Sequence, residues 1–228
     1  MRIAEIYLSI QGEGLLTGAE SVFVRSSGCN LRCWFCDTPY ASWMPEGDDL
    51  SIGEILDRVE QFECRHVVLT GGEPMLFAEL VPLAAELRRR DLHITIETAG
   101  TLDLPVECDL MSISPKLSSS APPGRRHPRW HRRHEQTRHA PQVIRRLIAD
   151  YDYQMKFVID RPRDCREVES YLAQLPEIDR SRVLLMPQGT DAEELARRAR
   201  WLKPFCDATG MCLCPRRQIE WFGLVRGT

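Results

Sequence analysis

Six short apolar runs punctuate the chain: Val22-Phe23-Val24, His66-Val67-Val68-Leu69, His93-Ile94-Thr95-Ile96, Leu110-Met111-Ser112-Ile113, Lys156-Phe157-Val158-Ile159 and Val183-Leu184-Leu185-Met186. None alternates strictly, the pattern of strands covered on both faces. An Ile3–Ile10 segment precedes them. Between the runs the polar positions predict helices. Ser51-x-x-Glu54, Asp164-x-x-Glu167 and Thr190-x-x-Glu193 have the spacing at which two side chains satisfy the free amides of a first turn, with helices running to about Phe62, Leu175 and Leu202. From Leu76 to Arg90, residues Leu80, Leu83, Ala84 and Leu87 share one face, and Pro141 opens a further helix through Ile148.

Repeated strand-helix alternation calls for a parallel sheet with right-handed crossovers, an α/β fold. A complete eight-unit barrel takes roughly 250 residues. The 228 residues here, with six recognisable strands, suit an incomplete barrel or an open doubly wound sheet, and residues 1–228 read as one domain.

Charge and composition remove several function classes. Thirty basic residues against 33 acidic ones leave a formal charge of −3, which is not the balance of a nucleic-acid coat or a membrane-surface protein. A hydrophobic content of 43% argues against disorder, and no apolar run approaches the roughly 20 residues of a membrane span. Glu5 falls where a signal peptide needs its apolar stretch, so the chain is expected in the cytoplasm. There, nine cysteines point to metal binding or catalysis rather than to disulfides. Cys64, Cys108 and Cys165 are isolated and read as small buried hydrophobes. Cys206, Cys212 and Cys214 gather near the end, where burial or a second metal site would explain them.

One stretch departs from the acidic body. Residues 118–146 hold eight of the 30 basic residues, all Arg, four of the six His, and one of the 33 acids, Glu135, leaving 22 basic and 32 acidic residues elsewhere. Ser118-Ser119-Ser120-Ala121-Pro122-Pro123-Gly124 opens it, so the segment from about 118 to 141 reads as an inserted loop: an anion or substrate lid, or a solvated, partner-facing surface. A metal on its histidines is opposed by the flanking guanidiniums.

The chemistry gathers in Cys29-Asn30-Leu31-Arg32-Cys33-Trp34-Phe35-Cys36, directly after the first run. Three thiolates at C-x3-C-x2-C spacing can each take one iron of a [4Fe–4S] cube, leaving one iron open. A zinc site would need a fourth ligand, for which Cys212 or Cys214 would have to fold back. Thr70-Gly71-Gly72-Glu73-Pro74, Glu97-Thr98-Ala99-Gly100, Ser114-Pro115-Lys116 and Pro187-Gln188-Gly189 each follow another run. All lie at predicted C-terminal strand ends, the face on which parallel barrels build active sites.

The cysteine motif with Thr70–Pro74 resembles the radical S-adenosylmethionine superfamily. Within it, Ser9-Ile10-Gln11-Gly12-Glu13-Gly14, Val24-Arg25, Gly28-Cys29, Cys36-Asp37-Thr38, Glu97-Thr98-Ala99-Gly100-Thr101 and Ser114-Pro115-Lys116 resemble the 7-carboxy-7-deazaguanine synthases over most of the chain, the basic stretch apart. That resemblance implies an incomplete TIM-type barrel of about six parallel strands with its active site on the C-terminal face. It implies a carbon–nitrogen lyase that converts 6-carboxy-5,6,7,8-tetrahydropterin to 7-carboxy-7-deazaguanine with loss of ammonia, on the route to queuosine-type 7-deazapurines. The cofactors implied are a [4Fe–4S] cluster on Cys29, Cys33 and Cys36, S-adenosylmethionine, and Mg²⁺ on Thr38. Phe35, Cys36, Asp37, Gly72, Glu73, Glu97, Ser114, Pro115, Lys116 and Gln188 would line S-adenosylmethionine. Ile10, Gln11, Gly12, Glu13, Arg25 and Thr70 would bind the pterin, Arg25 forking onto its carboxylate in a geometry Lys cannot reproduce.

The implied partners are the pterin, an external electron donor of flavodoxin or ferredoxin type and a second copy in a homodimer, with neither membrane nor nucleic acid. Where many relatives read Arg-Leu-His, this chain reads Pro215-Arg216-Arg217-Gln218; Gln218 can hydrogen-bond a pterin but cannot carry an imidazole's proton. Two rivals stay open on sequence: a radical activase that makes a glycyl radical on a partner protein, and a zinc-stabilised nucleic-acid-binding module built on the Arg/His stretch.

Overall fold

The apolar runs all become strands of one sheet. In a computed structural model that describes all 228 residues, β1 (Arg2–Ile10) pairs antiparallel with β2 (Glu20–Ser26), and after the short α1 (Pro39–Ser42) the two-residue β3 (Asp48–Asp49) adds to the outer edge of β1. From β2 onward the sheet is parallel. It continues through α2 (Ile52–Glu60), β4 (His66–Gly71), α3 (Leu80–Arg89), β5 (His93–Thr98), β6 (Leu110–Ile113), α4 (Pro128–Thr137), α5 (Pro141–Asp150), β7 (Tyr153–Ile159), α6 (Pro162–Leu172), β8 (Val183–Pro187), α7 (Ala192–Thr209) and β9 (Cys212–Leu213), and α8 (Arg217–Phe222) ends the chain. The strand order β3-β1-β2-β4-β5-β6-β7-β8-β9 never closes on itself, so the sheet is an incomplete barrel.

Period two divides each parallel strand between two environments. Val22 and Val24, Val67 and Leu69, Ile94 and Ile96, Met111 and Ile113, Met155, Phe157 and Ile159, Val183 and Leu185 belong to the main core beneath the helices. The alternate positions face inward, where Phe23, Arg25, Thr70, Glu97, Ser112, Lys156, Val158 and Met186 line a cavity. The register sets Arg25 beside Thr70, Glu97 beside Ser112 and Val158 beside Met186, so the C-terminal strand ends finish level.

Helix boundaries differ from the expectation where capping competes with other chemistry. Ser51 and Glu54 form the expected capping box on α2. In α6, Asp164 lies inside the first turn, accepting from the Arg161 and Asp160 amides, so the helix is capped at Arg161 and opens three residues earlier, at Pro162. Asp191, not Thr190, caps α7 by accepting from the Glu194 amide at 2.9 Å, and the helix runs past Leu202 through Pro204 to Gly210. Leu76 belongs to a single tight turn, and α3 starts at Leu80.

The largest departure is the basic stretch, which is not a loop. Pro128 opens α4 and Pro141 opens α5, so residues 118–146 are the helical crossover between β6 and β7. An Arg/His-rich helix holds here because Trp130 and His134, one turn apart, meet the cysteine loop: Arg32 lies 4.0 Å over the Trp130 ring and His134 is fully buried. At the other end, the tail spans the open side of the barrel. The Arg217 amide donates to the Gly12 carbonyl at 3.0 Å, and Arg226 reaches Glu5, Glu46 and the Ala4 carbonyl. Cys165, Cys206 and Cys214 are buried as expected of small hydrophobes, whereas Cys64 and Cys108 are half-buried and Cys212 is exposed. No helix is long and apolar enough to cross a membrane.

Candidate active site

A cavity of about 740 Å³ opens at the C-terminal strand ends. Its upper wall is the loop after β2. Trp34 anchors that loop by donating from its backbone and ring N–H to the carbonyls of Ser120 (3.1 Å) and Ser119 (2.7 Å), and Trp43 donates from its ring to the Cys33 carbonyl at 2.9 Å. Beneath it, the Arg32 amide donates to His134 Nδ1 at 3.2 Å, which leaves Nε2–H to donate to Ser120 Oγ at 2.8 Å. That arrangement requires a neutral imidazole, and burial lowers the His134 pKa to about 4.

Cys29, Cys33 and Cys36 are free, half-buried and turned to the same cavity. Burial pushes the Cys29 and Cys33 thiols up to about 12, so a metal taken here displaces their protons. No three His, Cys, Asp or Glu side chains converge as one metal ion would require. Neither C-terminal cysteine turns to this loop: Cys214 Sγ accepts from the Gly14 amide and Cys212 bonds the Ser181 carbonyl. Three thiols spread along one wall, with no fourth, fit a cube in which each takes a separate iron. Thr38 sits at the N-cap of α1, yet its hydroxyl makes no capping bond and faces the cavity.

The glycine turn after β4 brings backbone to this wall. Gly71 has φ 145°, and a side chain there would strike Ser26; one on Gly72 would strike the carbonyls of Gly28 and Ala41. Gly72 lines the cavity, but Glu73 does not. The Glu73 carboxylate is wholly buried, accepting from Thr98 Oγ1 (2.8 Å) and the amides of Ala99 (2.8 Å) and Met75 (3.1 Å), so it ties the β4 turn to β5. Pro115 is likewise buried outside the lining. The other candidates, Ile10, Gln11, Gly12, Glu13, Arg25, Phe35, Asp37, Thr38, Thr70, Glu97, Ser114, Lys116 and Gln188, all line it with the three cysteines.

The cavity floor is ionic. Lys156 Nζ lies 3.1 Å from Glu13 Oε2 and 3.2 Å from Glu97 Oε1; Thr70 Oγ1 donates to Glu97 at 2.9 Å and the Gln11 amide at 3.4 Å. Glu97 therefore stands with the expected pterin contacts rather than among the cysteines. Arg216 Nε meets Glu13 at 3.2 Å while its Nη2 meets Asp37 at 2.5 Å. Burial alone would raise the Glu13 pKa, but Lys156, Arg216 and Gln218 outweigh it and hold it down to about 2. Gln218 donates to Glu13, leaving its Oε1 buried against Gly12 and without a partner. On the β1 side, a register shift between Ile3 and Glu5 sets Glu5 opposite Arg25. Arg25 gives Nε to Glu5 (2.7 Å) and Nη2 to the Tyr7 hydroxyl (2.7 Å), which aims the remaining edge of its fork inward.

Lys156 and Arg216 were missed in the sequence. Lys156 reads there as a residue of an apolar strand, and the carboxylates that explain both lie 59 to 203 residues away. An ionisable residue inside an otherwise apolar run was the one available signal for Lys156.

Comparison with known proteins places this geometry. Residues 23–112 match the Radical SAM superfamily. The chain is 48% identical over 227 residues to the 7-carboxy-7-deazaguanine synthase of Rhodopirellula baltica, covering 99% of this chain and 88% of that protein. The chain belongs to the 7-carboxy-7-deazaguanine synthase family. Another synthase of that name, from Halobacterium salinarum, is 41% identical over 95% of this chain and 88% of its own. The crystal structure of QueE from Escherichia coli superposes with a TM-score of 0.71 at 23% identity, covering 95% and 93% of the two chains, and shows the same fold. As a member of the 7-carboxy-7-deazaguanine synthase family, the protein is a radical S-adenosylmethionine enzyme of 7-deazapurine biosynthesis, a lyase, using a [4Fe–4S] cluster and S-adenosylmethionine. Both rivals, the glycyl-radical activase and the zinc module, give way to this kinship, which covers 99% of the chain.

Proposed function

We propose that this chain converts 6-carboxy-5,6,7,8-tetrahydropterin to 7-carboxy-7-deazaguanine with release of ammonia, in the one cavity that joins the three thiols to Arg25 and the ionic floor. The observation that carries this reading is the set of side chains that share one cavity with the three thiols: Arg25, Gln11, Thr70 and the Glu13 carboxylate. An aminopyrimidinone edge presents N–H donors beside an acceptor, which a Glu carboxylate and a Gln amide can pair.

Cys29, Cys33 and Cys36 would hold the cluster, which would supply the electron for reductive, radical-generating cleavage of S-adenosylmethionine. Phe35, Asp37, Gly72, Ser114, Lys116 and Gln188 form the cofactor's walls, with Glu73 and Pro115 shaping them from behind. Arg25, held by Glu5 and Tyr7, receives the substrate carboxylate. Gln11, Gly12, Glu13 and Thr70 meet the pyrimidinone edge, with Ile10 and Glu97 beside them. The Thr38 hydroxyl would ligate Mg²⁺, as an oxygen donor to an ion that keeps waters and borrows substrate oxygens. The cofactor would supply the group that accepts a hydrogen atom from C6 of the pterin, and these residues would hold that carbon toward it while the ring contracts and nitrogen leaves as ammonia. The walls orient the substrate and exclude water from the radical.

The same reading treats residues 1–228 as one domain in which 118–141 belongs to a crossover. It places the enzyme in the cytoplasm, as a homodimer supplied with electrons from outside; nine free thiols suit that compartment. Anaerobically reconstituted protein incubated with S-adenosylmethionine, dithionite, Mg²⁺ and the pterin should yield a product lacking one ammonia by mass spectrometry. Formation of 5′-deoxyadenosine with the pterin left intact would reject the substrate.

A further inference from the structure

The arginines of the basic stretch fall into two sets. Arg138, Arg145 and Arg146 are paired, with Glu135 and Glu167, with Glu177 and with Asp103. Arg125, Arg126, Arg129, Arg132 and Arg133 are exposed, line no part of the cavity and enter none of the chain's ion pairs. Arg129, Arg132 and Arg133 stand at i, i+3 and i+4 of α4, on one outward face. Five uncompensated positive charges on a body otherwise holding 33 acidic and 25 basic residues make a local field that repels itself and attracts an acidic surface.

That field stands on the cysteine loop. On the inner side of α4, Arg32 lies 4.0 Å over the Trp130 ring, which Arg133 approaches to 5.4 Å from its exposed position, and His134 accepts from the amide of Arg32, the residue before Cys33. The segment leading into the helix holds Trp34 through Ser119 and Ser120. A macromolecule seated on the arginines therefore rests one helix away from the thiols, on the outer side of the loop, and leaves the cavity mouth free for small molecules.

We propose that the α4 arginine face is the docking surface for an acidic one-electron carrier protein that reduces the cluster. The inference rests on the proposed cluster at Cys29, Cys33 and Cys36, which needs one electron from outside for each cleavage of its cofactor. The step balances simply: the carrier is oxidised by one electron, the cluster is reduced by one, and no bond or proton changes hands. Charge sets the encounter and its orientation, so the association weakens steeply with salt.

The test uses cluster-loaded protein and an acidic flavodoxin as the probe, with the variant Arg125→Glu/Arg129→Glu/Arg132→Glu. None of these three side chains holds the fold or touches the cavity, and the corresponding triple Gln variant serves if charge reversal disturbs folding. Flavodoxin binding, measured by titration at low salt, should weaken at least tenfold in the Glu variant, about 1.4 kcal/mol, and by less in the Gln variant. The gap should close at high salt. Cluster reduction by reduced flavodoxin, followed at its visible absorbance, should slow in parallel, while turnover with dithionite stays at the wild-type rate. Equal flavodoxin affinity and equal reduction rates in wild type and variants would overturn the proposal. So would salt-sensitive RNA binding lost in the variants beside unchanged flavodoxin kinetics, which would give the face to nucleic acid. Arginine-dependent flavodoxin binding by a wild type that shows no dithionite turnover would support the surface and reject the catalytic reading.

Discussion

Lys156 is the residue on which the cavity floor turns, and Lys156→Met tests that directly. The ammonium has 5% side-chain exposure and lies 3.1 and 3.2 Å from two carboxylates, Glu13 and Glu97. Met keeps the volume and removes the charge. Breaking a buried pair by deleting one partner costs roughly 3–5 kcal/mol, because the remaining charge is stranded. Here Glu13 keeps Arg216 at 3.2 Å and Gln218, so the stranded group is Glu97, left with Thr70 and Gln11. The loss should fall at the lower end, about 3 kcal/mol, or on the order of 10 °C in thermal midpoint for a chain of this size. Removing the stranded charge as well, in Lys156→Met/Glu97→Gln, should recover most of that. The assay is thermal unfolding of anaerobic protein with its cluster intact, run on wild type, both single variants and the double. A single variant within 1 kcal/mol of wild type, or a double variant no more stable than Lys156→Met, would refute the reasoning.

Cys33→Ala should fail to hold the cluster, with iron content and visible absorbance near background; a variant with full iron and undiminished turnover removes that thiol from the ligand set. Arg25→Lys keeps the charge but loses the fork that Glu5 and Tyr7 orient, so the pterin KM should rise about tenfold or more with a smaller change in kcat, and an unchanged KM removes the carboxylate clamp. His134 is held neutral with its pKa lowered from 6.5 to about 4, so the unfolded chain binds the extra proton between those values. Stability should therefore fall as pH drops from 6.5 toward 4, by about 3 kcal/mol at most from this residue, and show no contribution from it above 6.5. In urea unfolding His134→Gln should lose less than wild type across that window; parallel curves would show that His134 does not titrate there.

The strands were legible because burial on both faces forces continuous apolar runs, and those runs alone recover β2 and β4 to β8. The cysteine spacing and the glycine turn were legible because they are local: eight residues make the thiol wall, and Gly71 and Gly72 answer a close approach of neighbouring backbone. Side-chain direction was not. Whether Glu73 faces a ligand or the core depends on where Thr98 and Ala99 of the next strand end lie, and that contact spans 25 residues. Helix α4 was hidden for a related reason: its inward stripe is Trp130 and His134, so the periodic apolar signal of a helix is nearly missing while arginines dominate the composition. The end of α7 was obscured by Pro204, whose missing N–H the long helix tolerates because Leu195, Leu202 and Cys206 stay packed on either side of it.

On the proposed reaction, a 5′-deoxyadenosyl radical would take hydrogen from C6 of the pterin held in this cavity. That transfer is tested most directly with 6-carboxytetrahydropterin deuterated at C6, by mass spectrometry of the nucleoside. Deuterium should appear in the 5′-deoxyadenosyl group, whether recovered as 5′-deoxyadenosine or in S-adenosylmethionine rebuilt after turnover. Product formed from that substrate with the label absent from both would contradict it.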